Sequence, residues 1–87
     1  MEKINSELDL YNRLLPALRT KKHELYRNNI KILQEKDIWL YNKYVNWKNV
    51  SGLCLSKMVD DILNTDDNAY YDFKVQKIRE QDEKNGR

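Results

Sequence analysis

Residues 55–63 read Leu-Ser-Lys-Met-Val-Asp-Asp-Ile-Leu, and the apolar members Leu55, Met58, Val59, Ile62 and Leu63 stand at i, i+3, i+4, i+7 and i+8. That spacing draws one stripe along an α-helix, whereas a half-buried strand would alternate apolar with polar. A helix with a single apolar stripe must face a core, so its neighbours have to supply the other walls. Ser51 is the expected cap of this helix, and Lys48 to Gly52 the loop that leads into it.

Toward the C-terminus, Asn64, Thr65, Asp66, Asp67 and Asn68 form a polar turn cluster from which Asp66 or Asp67 can cap a further helix. Tyr70 and Phe73, with Tyr71, Val75 and Ile78, place apolar residues on two adjacent stripes of that helix. Residues 81–87 carry no apolar side chain and are expected to be a frayed polar tail beyond a single domain of residues 1–80.

Toward the N-terminus, Trp47 is expected to fold back over a helix from about Gln34 to Asn46. There Ile38, Tyr41 and Val45, flanked by Trp39 and Tyr44, recur at helical spacing. Glu35 and Asp37 suit the positive N-terminal end of that helix. The β-branched Ile30 and Ile32 favour an extended connector, and no second strand pattern exists to pair with it. The longest helix precedes the connector, over about residues 6–28. Ser6 and Asp9 resemble a capping box, and the expected stripe is Leu8, Tyr11, Leu15, Leu18 and Leu25, with Lys22 filling the gap. Pro16 deletes the bond to the Asn12 carbonyl and lies opposite the stripe, which predicts a kink there. Asn28 and Asn29 tolerate the left-handed backbone of a C-cap.

Composition agrees. Glycine (2) and proline (1) are too scarce for turn-dense sandwiches, barrels or glycine-rich phosphate loops. A chain of 87 residues holds one domain. The expected fold is all-α, a compact small bundle of about four helices whose first helix is long and kinked at Pro16. The single cysteine, Cys54, excludes an internal disulfide, and no cluster of Cys and His offers a zinc site. Together with the absence of a run of about 18 apolar residues, or of an apolar signal core in MEKINSELDL, this points to the reducing cytoplasm and no membrane insertion. Ten Asn, eleven Lys, six Ile and six Tyr, all with A/T-rich codons, fit a bacterium of low GC content.

Catalytic chemistry has few candidates. His23, the only histidine, sits between Arg19 and Arg27 without an orienting carboxylate and reads as a solvated surface residue. Cys54, one position before the apolar stripe, is expected to be a packing residue. Asp60 and Asp61 are adjacent, so on a helix they point about 100° apart and cannot work as an acid and base pair. The segment DDNAYYD lacks the spaced oxygens and glycine of a calcium loop. The chain therefore reads as non-enzymatic, with no cofactor and no metal.

Charge is more informative. Between Arg13 and Lys31 there are six basic residues and one acid, while between Asp60 and Glu83 there are eight acids and three bases, within a net charge of only +2. Arg19, His23 and Arg27 form an i, i+4, i+8 row that could meet phosphates or simply be a solvated face. Opposite ends of two chains could also attract each other in a homodimer. Trp39, Tyr44 and Trp47, with Lys43 and Lys48 nearby, could stack single-stranded bases or could close the core.

The segments LLPALRTKKHEL, DIWLYNKYVNWK, LSKMVDDIL and Tyr70-Tyr71-Asp72-Phe73 occur in an order that resembles the small post-transcriptional regulators related to ComN of Bacillus and its Gram-positive relatives. The resemblance spans residues 15–73. Its most telling pieces are Pro16-Ala17-Leu18, Ile38-Trp39 followed by Trp47-Lys48, and Val59 with Asp61-Ile62-Leu63. Where relatives tend to end the first helix with glycine, this chain has Asn28-Asn29. The resemblance implies a cytoplasmic, non-enzymatic helical protein that adjusts expression after transcription, in the family of late competence genes, and it implies no particular RNA-contacting residues.

From the residues themselves, the expected RNA or partner face is Arg13, Arg19, Arg27 and Lys31 for phosphates, with Trp39 or Trp47 for stacking. The alternative is a purely protein-binding adaptor that receives a helix in an apolar groove beside Trp39. A DNA-reading helix-turn-helix fits less well, because Asp60 and Asp61 stand where a groove-reading helix would carry Arg, Lys, Asn or Gln. Messenger RNA or a protein is thus the expected partner.

Overall fold

The computed structural model describes residues 7–85, with side chains as far as Gln81. Among the described residues there are four α-helices and no strand: α1 (Glu7–Arg27), α2 (Glu35–Tyr41), α3 (Leu55–Asn64) and α4 (Asp67–Asn85). This is the expected all-α bundle. Ser6 lies outside the described residues, and with it the capping role expected of it.

α1 continues through Pro16, whose ring is exposed, and Thr20 donates its hydroxyl to the Pro16 carbonyl at 3.0 Å. The buried stripe of α1 is Leu14, Ala17, Leu18, Lys21 and Leu25. Leu8, expected inside, is 68% exposed. At 100° per residue the observed stripe is rotated by about 70° from the expected one, which brings Lys21 rather than Lys22 to the core. The reason is tertiary: Lys21 has acidic and carbonyl partners waiting in the bundle, and Lys22 has none so deep.

α1 ends as the tandem asparagines suggest. Asn29 takes φ 69°, Ile30 N–H bonds the Leu25 carbonyl (2.9 Å) and Asn29 N–H bonds the Tyr26 carbonyl (3.0 Å). These two bonds make a Schellman motif that satisfies carbonyls the helix end would otherwise orphan. The connector follows, and Leu33 anchors it in the core at 2% exposure.

Gln34 caps α2, its N–H donating to the Asp37 carboxylate at 2.8 Å. The expected helix to Asn46 is present, but its last stretch, Asn42–Asn46, widens into a π-helical turn, closed by Trp47 N–H on the Asn42 carbonyl (2.8 Å). The widening serves a side chain. Asn42 is fully buried, and its Nδ2 donates to the Ile38 carbonyl (2.9 Å) and to the Tyr70 hydroxyl (3.0 Å).

α3 begins at Leu55 with Cys54 as its N-cap, so Ser51 is not the cap and the loop runs three residues further than expected. The stripe itself is as read: Ile62 is fully buried, and Leu55, Met58, Val59 and Leu63 pack against the core. Asp66 starts α4, its carboxylate accepting from Asn68 N–H at 3.0 Å. α4 is helical as far as Asn85, past the point at Gln81 where a frayed tail was expected.

The core lies between α1 on one side and α2, α3 and the first turns of α4 on the other. Edge-to-face aromatic pairs link its layers: Tyr11 with Trp39 (5.7 Å), Trp39 with Trp47 (6.0 Å), and Tyr41 with Tyr70 (4.9 Å) and Phe73 (5.4 Å). Trp47 does fold back over α2.

Candidate functional site

The exposed side of α1 follows from what the core takes. With Leu14, Leu18, Lys21 and Leu25 inside, Arg19, His23 and Arg27 form the solvent-facing ridge, one turn apart from each other. Arg19 is 61% exposed along its side chain and lies 3.9 Å from Glu35, the first residue of α2. Lys22 reaches the same carboxylate at 3.4 Å. Glu35 is held below the usual carboxylate range, first by its own backbone amide at the helix N-terminus and then by Lys22 and Arg19, although burial opposes the shift. Part of the ridge's charge is thereby offset, and His23 and Arg27 remain exposed beyond the reach of that pair.

The other basic candidates stand off the ridge, Arg13 being turned about 120° from Arg19 around α1. Arg13 is half-buried against Asp9, its Nε donating at 3.2 Å. Lys31 lies just past the helix end, with its ammonium 5.1 Å above the ring of Tyr26. Tyr26 itself, 57% exposed, was missed in the sequence. It lines a shallow hollow of about 270 Å³ with Lys22 and His23. The signal was available: in KKHELYR the tyrosine follows Lys22 and His23 by four and three residues, the spacing of neighbours on a helix surface.

The two tryptophans are elsewhere. Trp39 and Trp47 are 8% and 9% exposed, and both belong to the hydrophobic core. Trp39 meets Tyr11 and Trp47 edge to face, and the Trp47 indole donates to Asp61 at 2.9 Å. Of the three aromatics expected as a stacking platform, Tyr44 alone is open, 51% exposed, with the ammoniums of Lys43 and Lys77 at 5.2 and 6.0 Å from its ring.

Two polar constellations hold the scaffold. Lys21, 2% exposed, is the first. Its ammonium donates to Glu24 (2.9 Å) and to the Leu63 carbonyl near the end of α3 (3.2 Å), and it pairs with Asp67 at the start of α4 (2.9 Å). Burial works against the charge, but the bonds to Asp67 and Glu24 outweigh it and raise Lys21 above its ordinary value. Burial likewise works against the Asp67 carboxylate, and Lys21 with Asn28 overcomes it to hold that group low. The second constellation joins α2, α3 and α4. Tyr70 donates to the Ile62 carbonyl (2.8 Å), Asn46 to Asn42 (2.7 Å) and Thr65 (3.0 Å), and Thr65 to the Asp61 carbonyl (2.6 Å). Among the described residues no buried side-chain nitrogen or oxygen lacks a partner. Satisfied networks of this kind specify one packing.

Cys54 is exposed, contrary to the expected packing role, because it caps α3 from outside. Its thiol is pulled below its ordinary value by the Ser56 hydroxyl and then by the amides of the first turn of α3. His23 is exposed as expected. Among the described residues no group of His, Cys, Asp and Glu could hold a metal ion, and no helix is long and apolar enough to cross a membrane.

A family model described as post-transcriptional regulator matches residues 9–85, nearly all of the described chain. The chain belongs to that family. The match runs twelve residues past Phe73, where the resemblance in the sequence faded, and so takes in the whole of α4. No curated protein and no solved structure matches the chain.

Proposed function

We propose that the chain regulates particular messages by holding RNA on the exposed ridge of α1, without catalysis. The observation that carries this is the row Arg19, His23 and Arg27 on the side of α1 left over by the core, with Lys22 and Tyr26 beside it. Phosphates meet Arg19 and Arg27, with Lys31 just past the end of the track and Arg13 available only to a strand that wraps around α1. Stacking falls to the exposed Tyr26 or Tyr44 rather than to Trp39 or Trp47, which would have to leave the core. From the resemblance, the targets proposed are messages of late competence genes in the cytoplasm of a Gram-positive bacterium.

The test is a mobility shift with the untranslated region of such a message. Arg19→Ala and Arg27→Ala should each lower the slope of log affinity against log salt by roughly 0.7 to 0.9, one released counterion apiece. Affinity that does not change between about 50 and 200 mM salt sinks the reading.

One observation favours a second reading, the protein-binding adaptor. Beside Trp39 there is a hollow of about 360 Å³ lined by Leu8, Tyr11 and Trp39 and bordered by Lys36 and by the ion pair of Lys43 with Glu7. It suits the apolar face of an amphipathic helix. Partners that survive nuclease treatment in a pull-down, and are lost with Leu8→Asp, support the adaptor. Partners lost with the nuclease support RNA.

A further inference from the structure

The outward face of α4 is apolar where a solvated helix would be polar. Tyr71, Val75 and Ile78 recur at i, i+4 and i+7, within about 60° of arc, while Tyr70 and Phe73 pack inward on Tyr41. Tyr71 is 42% and Ile78 41% exposed, and every residue from Gln76 to Gln81 is exposed. The second half of α4 thus has little tertiary support beyond Lys77, whose ammonium lies 6.0 Å from the Tyr44 ring, and a lone helix of that length is marginal in water. The stripe has a charged border. Asp72 and Arg79 are seven residues apart, hence on one edge of it, and a hollow of about 470 Å³ runs between Tyr71, Val75 and these two.

We propose that a second copy of the chain docks on this stripe, α4 against α4 and antiparallel, about a two-fold axis between Val75 and Gln76. The charges select both occupant and direction. Antiparallel pairing brings Asp72 against Arg79 of the partner subunit, and the symmetry repeats the contact with the roles exchanged. Parallel pairing would instead turn Asp72 and Arg79 toward the stripe's other edge, where Asp67 and Lys74 are already held by Lys21 and Asp37, and would leave both charges without a counterpart. The antiparallel dimer buries Tyr71, Val75 and Ile78 with Asp72 and Arg79 paired along one border. The inference stands apart from the RNA reading, since the α1 ridge takes no part in it.

Sedimentation equilibrium of the full chain from about 1 to 300 µM tests it. Wild-type protein should dimerise. Asp72→Arg and Arg79→Asp, each folded by circular dichroism, should associate more weakly alone. Their equimolar mixture should associate roughly tenfold more tightly than either, because mixing restores both opposite-charge contacts. In a Cys54→Ser background, Val75→Cys, beside the axis, should form a disulfide between copies, and Tyr71→Cys should not. A wild-type chain monomeric throughout the range overturns the proposal. So does a mixture no tighter than its components, or cross-linking at position 71 as readily as at 75.

Discussion

Replacing Lys21 by methionine tests how much the buried cation contributes, because methionine keeps the length of the stem and removes only the charge and its donors. Three polar contacts go, together with the ammonium's approach to the Tyr70 ring at 5.8 Å, a minor loss at that range. The bond to Glu24, whose side chain is 41% exposed, is worth about 0.5 kcal/mol at most. The pair with Asp67, 22% exposed, is worth more, since its loss leaves a carboxylate half-sheltered without its cation, at about 1 to 2 kcal/mol. The Leu63 carbonyl loses its donor at the end of α3, for about 1 kcal/mol. The total is a loss of about 2 to 4 kcal/mol, a large share of the roughly 4 to 13 kcal/mol expected for a domain of this length. Urea unfolding followed by the fluorescence of Trp39 and Trp47 measures it, and the melting temperature should fall by roughly 10 to 25 °C.

Adding Asp67→Asn to Lys21→Met should recover about 1 kcal/mol, because the stranded carboxylate is then gone. The pH dependence has a definite sign. Asp67 is held below its ordinary value, so its contribution is present above that value, near 3.8, and is lost as pH falls through the lower folded value. Lys21 is held above its ordinary value, so its contribution is present below 10.5 and is lost as pH climbs through the higher folded value. The gap between wild type and Lys21→Met should therefore be flat from about pH 5 to 9.5 and shrink outside that window. A variant within about 0.5 kcal/mol of wild type, or a gap that does not change in acid, refutes the reasoning.

Other outcomes follow from the same geometry. Tyr70→Phe orphans the Ile62 carbonyl and weakens the hold on Asn42, and should cost about 1 to 2 kcal/mol in the same urea assay. Asp66→Ala removes the N-cap of α4, for about 1 kcal/mol, with helicity lost by circular dichroism in the segment that carries the outward stripe. Asn29→Ala forces a β-carbon residue less tolerant than asparagine into φ 69° and should cost about 1 kcal/mol. Cys54 should react fully with a thiol reagent in the native protein, without the unfolding that a packed cysteine would require.

Local chemistry left clear marks in the chain. The 3-4 spacing of Leu55 to Leu63, the tandem Asn28-Asn29 and the Asp66-Asp67 turn each act over a few residues, so helix α3, the end of α1 and the start of α4 could be read directly. The ridge of the candidate site was legible for a related reason: Arg19, His23 and Arg27 share a helix, and their mutual spacing does not depend on anything else in the molecule. The rotation of α1 was not legible. Leu14 and Leu15 are equivalent to a pattern of apolar residues, and only Asp67 and the Leu63 carbonyl, more than forty positions away in sequence, decide that Lys21 turns inward. The tryptophans show the same limit. An aromatic residue beside lysines suits a stacking surface as well as a core, and the choice is made by Tyr11 and Asp61, which arrive from other helices.

By itself, then, the sequence determined the helical class, where most helices start and stop, and which charges can share one helix face, because those depend on backbone bonds and side-chain spacing over one or two turns. The tertiary structure alone decided which face of each helix is buried, that the last turn of α2 opens to seat Asn42, and that α4 keeps an apolar stripe outside the bundle. Those outcomes rest on partners brought from distant segments, and a buried polar group takes its place only where such partners meet it.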